Sequence, residues 1–416
     1  MSRQVRACAA LLAILILTEQ ACGQPPAKAA LPDWPISGKA IEGTEALDAG
    51  ILTIMKRHGI PGGALAIARD GKLLFARGYG WANLQTNEQV QPDTRFGVAS
   101  LSKTITALAV LKLVEQGKLK LDDKAFPLIG HIKPAPNVKV DPRLYQITVR
   151  QLLNHSGGWN HAQSGDPVDW TTQVHVQRGL RQPKVTAEEL ISFSMKARLD
   201  FDPGTDSKYS NFGYIVLGEI VEKAAGQPYE KYVKEQVLAP MGIKTASLHP
   251  PDGAYFSNEA RRYLAGQREP LHSWTQQYSD AAGGWTFSVV DMTRLLTALD
   301  GSRGKPFLNE AVFKEMVALP PAPLKVRPNG THVGLGWDSV ILTDKGYGYF
   351  KEGSWFGMRA YMKRLPSGTN WVIMFNASLH FDPTDTRVAV DAVRDVREAM
   401  ERLGKLPAVD LFNDFR

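Results

Sequence analysis

Ser100 and Lys103 stand at i and i+3, a spacing that shares one face of a helix. They head the stretch from Phe96 to Gly117, where Leu101, Ile105, Leu108, Val110, Leu111, Leu113 and Val114 place apolar residues on every side. A helix that is apolar all round is buried. Its start offers unpaired N–H groups and the positive end of the helix dipole to a developing negative charge. A Lys drawn into such a core loses its preference for the charged form and can take a proton from a hydroxyl. The plain alternative is a capping Ser followed by a Lys that snorkels to water. A second Ser-x-x-Lys, Ser302 to Lys305, lies in a polar turn with Gly301, Gly304 and Pro306 and reads as surface loop.

Two further groups could complete a site. Tyr209-Ser210-Asn211 follows the turn Asp202-Pro203-Gly204-Thr205 and precedes a helix over residues 212–225. A Tyr hydroxyl beside an ammonium can have its pKa lowered and shuttle a proton, and an Asn amide both donates and accepts. The plain alternative is a Tyr packed in a turn and Asn211 as helix N-cap. Lys351-Glu352-Gly353-Ser354 reads as a strand on which Gly353 permits close backbone approach. His155-Ser156-Gly157 and His332-Val333-Gly334 match a looser His-x-Gly pattern. The first sits in a loop after a helix over 148–154, and the second lies ahead of the terminal hairpin rather than on it.

The elements that must position these groups come from both ends of the chain. Thr44 caps an amphipathic helix with Leu47, Ile51, Ile54 and Met55 inward, closed by Gly59 and Pro61. Ala64–Ala68 and Leu73–Gly78 form a hairpin across Asp70-Gly71. Near the other end Gly346–Phe350, Met358–Arg364 and Asn370–Asn376 read as strands. Ala389, Val393, Val396, Met400 and Leu403 mark a last helix stopped by Gly404. The middle is mainly helix and loop. The expectation is an α+β fold: one antiparallel sheet built from both termini, flanked by helices, with a helical lobe inserted. One domain over 41–405 would then have an α/β lobe, about 41–96 and 285–405, and a helical lobe, about 97–284. A Pro/Ala-rich tether precedes it over 24–40, and 406–416 form a C-terminal tail.

Residues 1–23 have the basic start, short apolar run and small-residue end of a secretory signal, so the chain is expected to be exported to the periplasm or medium. Both cysteines, Cys8 and Cys22, lie in this leader, which leaves no disulfide afterwards and excludes Cys-nucleophile and metal-thiolate chemistry. A lipid anchor on Cys22 is the alternative, and it alone would imply membrane contact. The preceding Glu19-Gln20-Ala21 depart from the usual Leu-x-x-Cys pattern. The leader holds two Arg and one Glu, so its removal lowers the formal charge from +7 to +6. No Lys/Arg stripe suits nucleic acid.

In order and context the three groups resemble the signatures of the serine β-lactamases and penicillin-recognising peptidases, in particular the class C β-lactamase-like branch with its esterases and D-peptidases. Other phrases are similar too: Gln151-Leu-Leu-Asn-His-Ser-Gly-Gly158, Phe201-Asp-Pro-Gly204, Gly213-Tyr-Ile-Val-Leu-Gly218 and Ala281-Ala-Gly-Gly-Trp285. The resemblance implies that Ser100 is the acylated nucleophile, with Lys103 and Tyr209 moving its proton; which of the two is the base stays open. It places the oxyanion between the backbone N–H groups of Ser100 and Ser354. Asn211 would hold an acyl-side amide, and Lys351 would supply positive charge near Tyr209 or a substrate carboxylate. It implies a small-molecule or peptide substrate and no metal or cofactor; oligomeric state stays open.

Two positions depart from the pattern. The family's His-Thr-Ser-Gly loop reads His155-Ser156-Gly157-Gly158 here, and Glu352 stands where β-lactamases carry Thr. Glu352 either faces the substrate side, where it would repel a β-lactam carboxylate, or pairs with an Arg such as Arg359. The expected activity is a serine hydrolase acting on an ester or amide through an acyl-enzyme. The alternatives are a true class C-type β-lactamase and a non-catalytic penicillin-binding or sensing module.

Overall fold

A computed structural model describes residues 33–170, 185–250, 253–271, 279–378, 394, 398 and 409–415. The leader and most of the tether lie outside the described residues, as does the terminal helix expected over 389–403 apart from Arg394 and Glu398. Nine strands form one sheet: β1 (Ile36–Ser37), β2 (Gly62–Arg69), β3 (Lys72–Asn83), β4 (Glu88–Gln89), β5 (His332–Gly334), β6 (Trp337–Thr343), β7 (Gly346–Trp355), β8 (Met358–Arg364) and β9 (Asn370–Phe375). Their order is β1-β3-β2-β9-β8-β7-β6-β5, with β4 added to β3. Every pairing in it is antiparallel, so the sheet is joined from both ends of the chain as expected. Four helices position the site: α1 (Glu45–His58), α2 (Ser102–Glu115), α3 (Phe212–Ala225) and α4 (Val289–Leu299). Among the described residues no helix is long and apolar enough to cross a membrane.

The alternation of β2 and β3 explains how the sheet carries helices on both faces. Leu65, Ile67 and Phe75 join Trp371 and Ile373 under the inward stripe of α1, Leu47, Ile51, Ile54 and Met55. The opposite face presents Ala64, Ala66 and Ala76, small residues that let α4 lie close to the sheet. The turn between β2 and β3 has Asp70 at φ 51° and Gly71 at φ 73°, the left-handed pair that a tight hairpin requires. Residues 102–283 contribute α2, α3 and shorter helices, with α2 packed against α3.

Several local expectations change. Thr44 does not cap α1; its hydroxyl donates to Ile41 O at 2.6 Å instead. Residues 36–37, read as tether, pair with β3 and so belong to the sheet. His332-Val333-Gly334, expected ahead of the terminal sheet elements, is its edge strand β5. The His332 ring is buried there, with Nε2 on Val317 O at 3.1 Å. In the segment read as C-terminal tail, Leu411 and Phe412 are buried.

Candidate active site

The strand pair Phe96–Gly97 with Trp285–Phe287 delivers the chain to a 3₁₀ turn, Ala99–Leu101, from which α2 continues. Ser100 therefore sits in a tight turn just ahead of α2 rather than in its first α-helical turn. Ala99 takes φ 46°, a left-handed conformation uncommon for a residue with a Cβ, at the junction of strand and turn. Strand β7 passes directly against this turn. A Cβ built on Gly353 would lie 2.2 Å from Val98 O and 3.1 Å from Ser100 N, so only glycine lets β7 approach so closely. Gly353→Ala must displace either β7 or the Ser100 turn, because the atom met most closely, Val98 O, is backbone. We expect ester turnover to fall by at least about tenfold, a loss typical of sub-ångström misplacement of reacting groups. Steady-state kinetics beside a thermal melt checks this, a kcat loss with a near-native melt being the expected pair of results.

Lys103 occupies the first turn of α2 and is 0 % exposed. The snorkelling alternative is thereby excluded. Its Nζ lies 2.7 Å from Asn211 Oδ1, 2.7 Å from Ala282 O and 3.2 Å from Ser100 Oγ. Asn211 Oδ1 and the carbonyl can only accept, whereas the serine hydroxyl can also donate. An ammonium has three N–H donors for these three acceptors, and once it has lost a proton it can keep the bonds to Asn211 and Ala282 and accept one from the Ser100 hydroxyl. Burial, followed by the nearby Lys351 charge, pushes the Lys103 ammonium well below the ordinary lysine range, in the same sense.

Tyr209 donates to Ser100 Oγ at 2.6 Å. The residue is 41 % exposed, so it is not a packed turn tyrosine. Its hydroxyl is nonetheless turned inward onto Ser100, and desolvation there, followed by the Asp338 carboxylate, pushes the phenol up. That direction opposes the lowered value expected from a lysine neighbour, although Lys103 Nζ and Lys351 Nζ lie 5.0 and 5.2 Å from the ring centroid. The hydroxyl is a proton donor in the resting site, and Lys103 is the group whose burial favours loss of its proton. Asn211 is not a side-chain N-cap; it has helical angles and makes no capping bond. Asp166 caps α3 from another loop, accepting from Asn211 N–H at 2.5 Å and Phe212 N–H at 3.2 Å.

Lys351 lies on β7 beneath Tyr209, 0 % exposed, with Nζ 2.5 Å from Asp338 Oδ1. Asp338 Oδ2 accepts from Glu352 N–H at 3.0 Å. Glu352 does not face the substrate side. The register pairs Glu352 with Tyr361, which pairs with Ile373 on the α1 face, whereas Lys351 and Gly353 belong to the row that faces α2. The Glu352 side chain therefore leaves on the far side of the sheet from Ser100 and cannot line the same cleft. It shares that far face with Arg359, whose guanidinium donates to Ser354 Oγ.

Three residues outside the expected set support the site: Asp166, Asp338 and His155. His155, noted in the sequence only as a looser His-x-Gly match and within the phrase Gln151–Gly158, holds φ 61°, and its ring centroid is 4.6 Å from that of Tyr209 and 5.2 Å from that of Tyr214. Its Nδ1 accepts from Ser210 N–H at 3.2 Å, and burial keeps the ring neutral by pushing it well below the usual histidine value. Ser302 is exposed in a turn after α4, its N–H on Asp300 Oδ1.

The Beta-lactamase family model matches residues 47–396 of this chain. Protein flp of Staphylococcus aureus (strain MW2) is 30 % identical over 191 residues, 46 % of this chain and 35 % of flp. Esterase EstB of Burkholderia gladioli is 30 % identical over 232 residues, 54 % of this chain and 56 % of EstB. The chain thus spans roughly a third to a half of the length of the curated relatives it matches. Among solved structures, the octameric penicillin-binding protein homologue from Pyrococcus abyssi aligns with TM-score 0.68 at 24 % identity, over 88 % of this chain and 78 % of that one. EstCE1, a hydrolase with promiscuous acyltransferase activity, gives 0.68 at 22 %, over 86 % and 98 %. The D-amino acid amidase from Ochrobactrum anthropi SV3 gives 0.66 at 23 %, over 88 % and 100 %. At these identities the structural likeness bears on the fold.

Proposed function

The chain belongs to the beta-lactamase family, and on that premise we propose that it is an exported serine hydrolase that cleaves an ester or amide through an acyl-enzyme on Ser100. The observation that carries this reading is the position of Ser100 Oγ, between Nζ of a fully buried Lys103 at 3.2 Å and the Tyr209 O–H at 2.6 Å.

Lys103 takes the Ser100 proton as Oγ attacks the carbonyl carbon, and the carbonyl electron pair moves to its oxygen. Backbone N–H groups of Ser100 and Ser354 receive that oxyanion, a contribution on the order of 10² to 10³ in rate per donor. The lack of room for a Cβ at Gly353 supports this, because it shows β7 passing alongside the Ser100 turn. As the tetrahedral centre collapses, Tyr209 gives its proton to the leaving oxygen or nitrogen and regains one from the Lys103 ammonium. Water then attacks the acyl group by the reverse relay. Asn211 bonds Lys103 through Oδ1, and its amide nitrogen, without a partner among the described residues, would donate to the acyl side of the substrate.

Incubation with a short-chain p-nitrophenyl ester, a D-amino acid amide and a fluorescent penicillin, followed by product release and intact mass, tests the reading. Turnover of ester or amide is the expected result. A persistent penicillin adduct without turnover of either would instead indicate a binding module, and efficient penicillin hydrolysis a true β-lactamase. Export predicts a mature protein beginning near Gln24 without lipid. An intact mass with a diacylglyceryl group on Cys22 would overturn that part alone.

A further inference from the structure

The cation that this fold places beside Tyr209 is not left to a substrate. Lys351 Nζ is fully buried and held by Asp338 Oδ1 at 2.5 Å, and the other Asp338 oxygen is fixed by Glu352 N–H at 3.0 Å. Both carboxylate oxygens are committed, and a buried ammonium requires such a partner. Lys103, the other lysine at Ser100, donates to Asn211 and Ala282 as well as to Ser100. Asp166 adds a carboxylate at the start of α3, bonded to the N–H of Asn211 itself. On the far face of the sheet, Arg359 is directed to Ser354 Oγ and Glu352 points away from Ser100. The described groups around Ser100 thus offer one compensated cation, one lysine whose Nζ is committed to three acceptors and a further carboxylate.

We infer that Asp338 sets the charge preference of the site: by occupying Lys351 it disfavours substrates that bring a carboxylate to that ammonium, whether on the acyl chain or, as in a β-lactam, on the nitrogen side of the scissile bond, and selects those that are neutral there. This rests on the acyl-enzyme reading of Ser100 and narrows its substrate class. An incoming carboxylate would have to displace Asp338 from Lys351, and the displaced carboxylate would then face it as a like charge. Asp338 acts through Lys351, so it is a positioning residue rather than one that touches the reacting atoms.

The test compares p-nitrophenyl butyrate with the mono-p-nitrophenyl ester of glutaric acid, whose acyl chain carries a carboxylate, on the full chain. In Asp338→Asn the amide oxygen can still receive Lys351 or Glu352 N–H while the negative charge is gone. The ratio of kcat/KM for anionic over neutral ester should rise at least about tenfold, the scale of one charge-assisted hydrogen bond. Adding Lys351→Gln to that variant should return the ratio towards wild type. A merely structural role would lower both esters together, and an unchanged ratio overturns the inference. Should Asp338→Asn fail to fold, inhibition of the unmutated protein by a neutral alkylboronic acid and by its carboxylate-bearing analogue reads the same preference. Tighter binding of the neutral compound is expected, and tighter binding of the anionic one contradicts the inference. Absence of Ser100-dependent turnover of either ester would count against the proposed function instead, while the boronate pair would still report the charge preference.

Discussion

Ser100→Ala should abolish turnover of a p-nitrophenyl ester and covalent labelling by penicillin, a loss on the order of 10⁴-fold or more, because no other oxygen can replace Oγ as nucleophile. Ser302→Ala should leave both near wild type. The two serines share a Ser-x-x-Lys pattern and differ in surroundings. Ser100 Oγ is held between Lys103 and Tyr209, while Ser302 is exposed in a turn. The Ala change removes one oxygen from a partly exposed turn position, so the fold should survive and a thermal melt should move little. Loss of activity in Ser302→Ala with retention in Ser100→Ala would reverse the assignment. Turnover retained in both would place the nucleophile elsewhere.

Lys103→Met and Tyr209→Phe should each lower kcat by about 10² or more, the usual scale for general acid–base groups. Methionine is chosen because the Lys103 side chain is fully buried and a shorter residue would add a cavity to the loss of the amine. The double variant should be far less than additive, since both groups act on one proton path through Ser100 Oγ. Their pH profiles should differ. Lowering the pH protonates Lys103 and fills the lone pair that receives the Ser100 proton, so the rate falls on the acid side. Burial and the Lys351 charge place that limb below the ordinary lysine range. The limb should persist in Tyr209→Phe and vanish in Lys103→Met. Additive losses with identical profiles would show that the two groups serve unrelated roles.

The parts that were legible in the sequence are those fixed by local spacing. Alternation and the Asp70-Gly71 pair marked the first hairpin, whose strands run longer than read, as Gly62–Arg69 and Lys72–Asn83. Apolar residues on every side of α2 announced the burial of Lys103. Position within a turn was harder, because Ser100 in a 3₁₀ turn and Ser100 in an α-helix have the same i, i+3 neighbour. Glu352 was ambiguous for a different reason. Alternation separates it from Lys351, but which face meets the nucleophile is decided by cross-strand register with Tyr361 and Ile373, which no local pattern shows. Asp338 could have been found by counting. Thr343 lies opposite Gly346 and Ser339 opposite Phe350, so one further step back along this hairpin brings Asp338 level with Lys351. Asp166 had no such signal, since it reaches the start of α3 from 45 residues away. His155 lay inside a phrase already noted, yet its role depends on stacking against Tyr209.

The central claim is that an acyl group is transferred to Ser100, and the most direct measurement is time-resolved intact mass followed by peptide mapping after mixing with a slowly released p-nitrophenyl ester. The account predicts a transient increase equal to one acyl group less one hydrogen, mapped to the peptide bearing Ser100, absent in Ser100→Ala and prolonged in Tyr209→Phe. Product formation with no adduct in the unmutated protein, or an adduct mapped to any other residue, would contradict it.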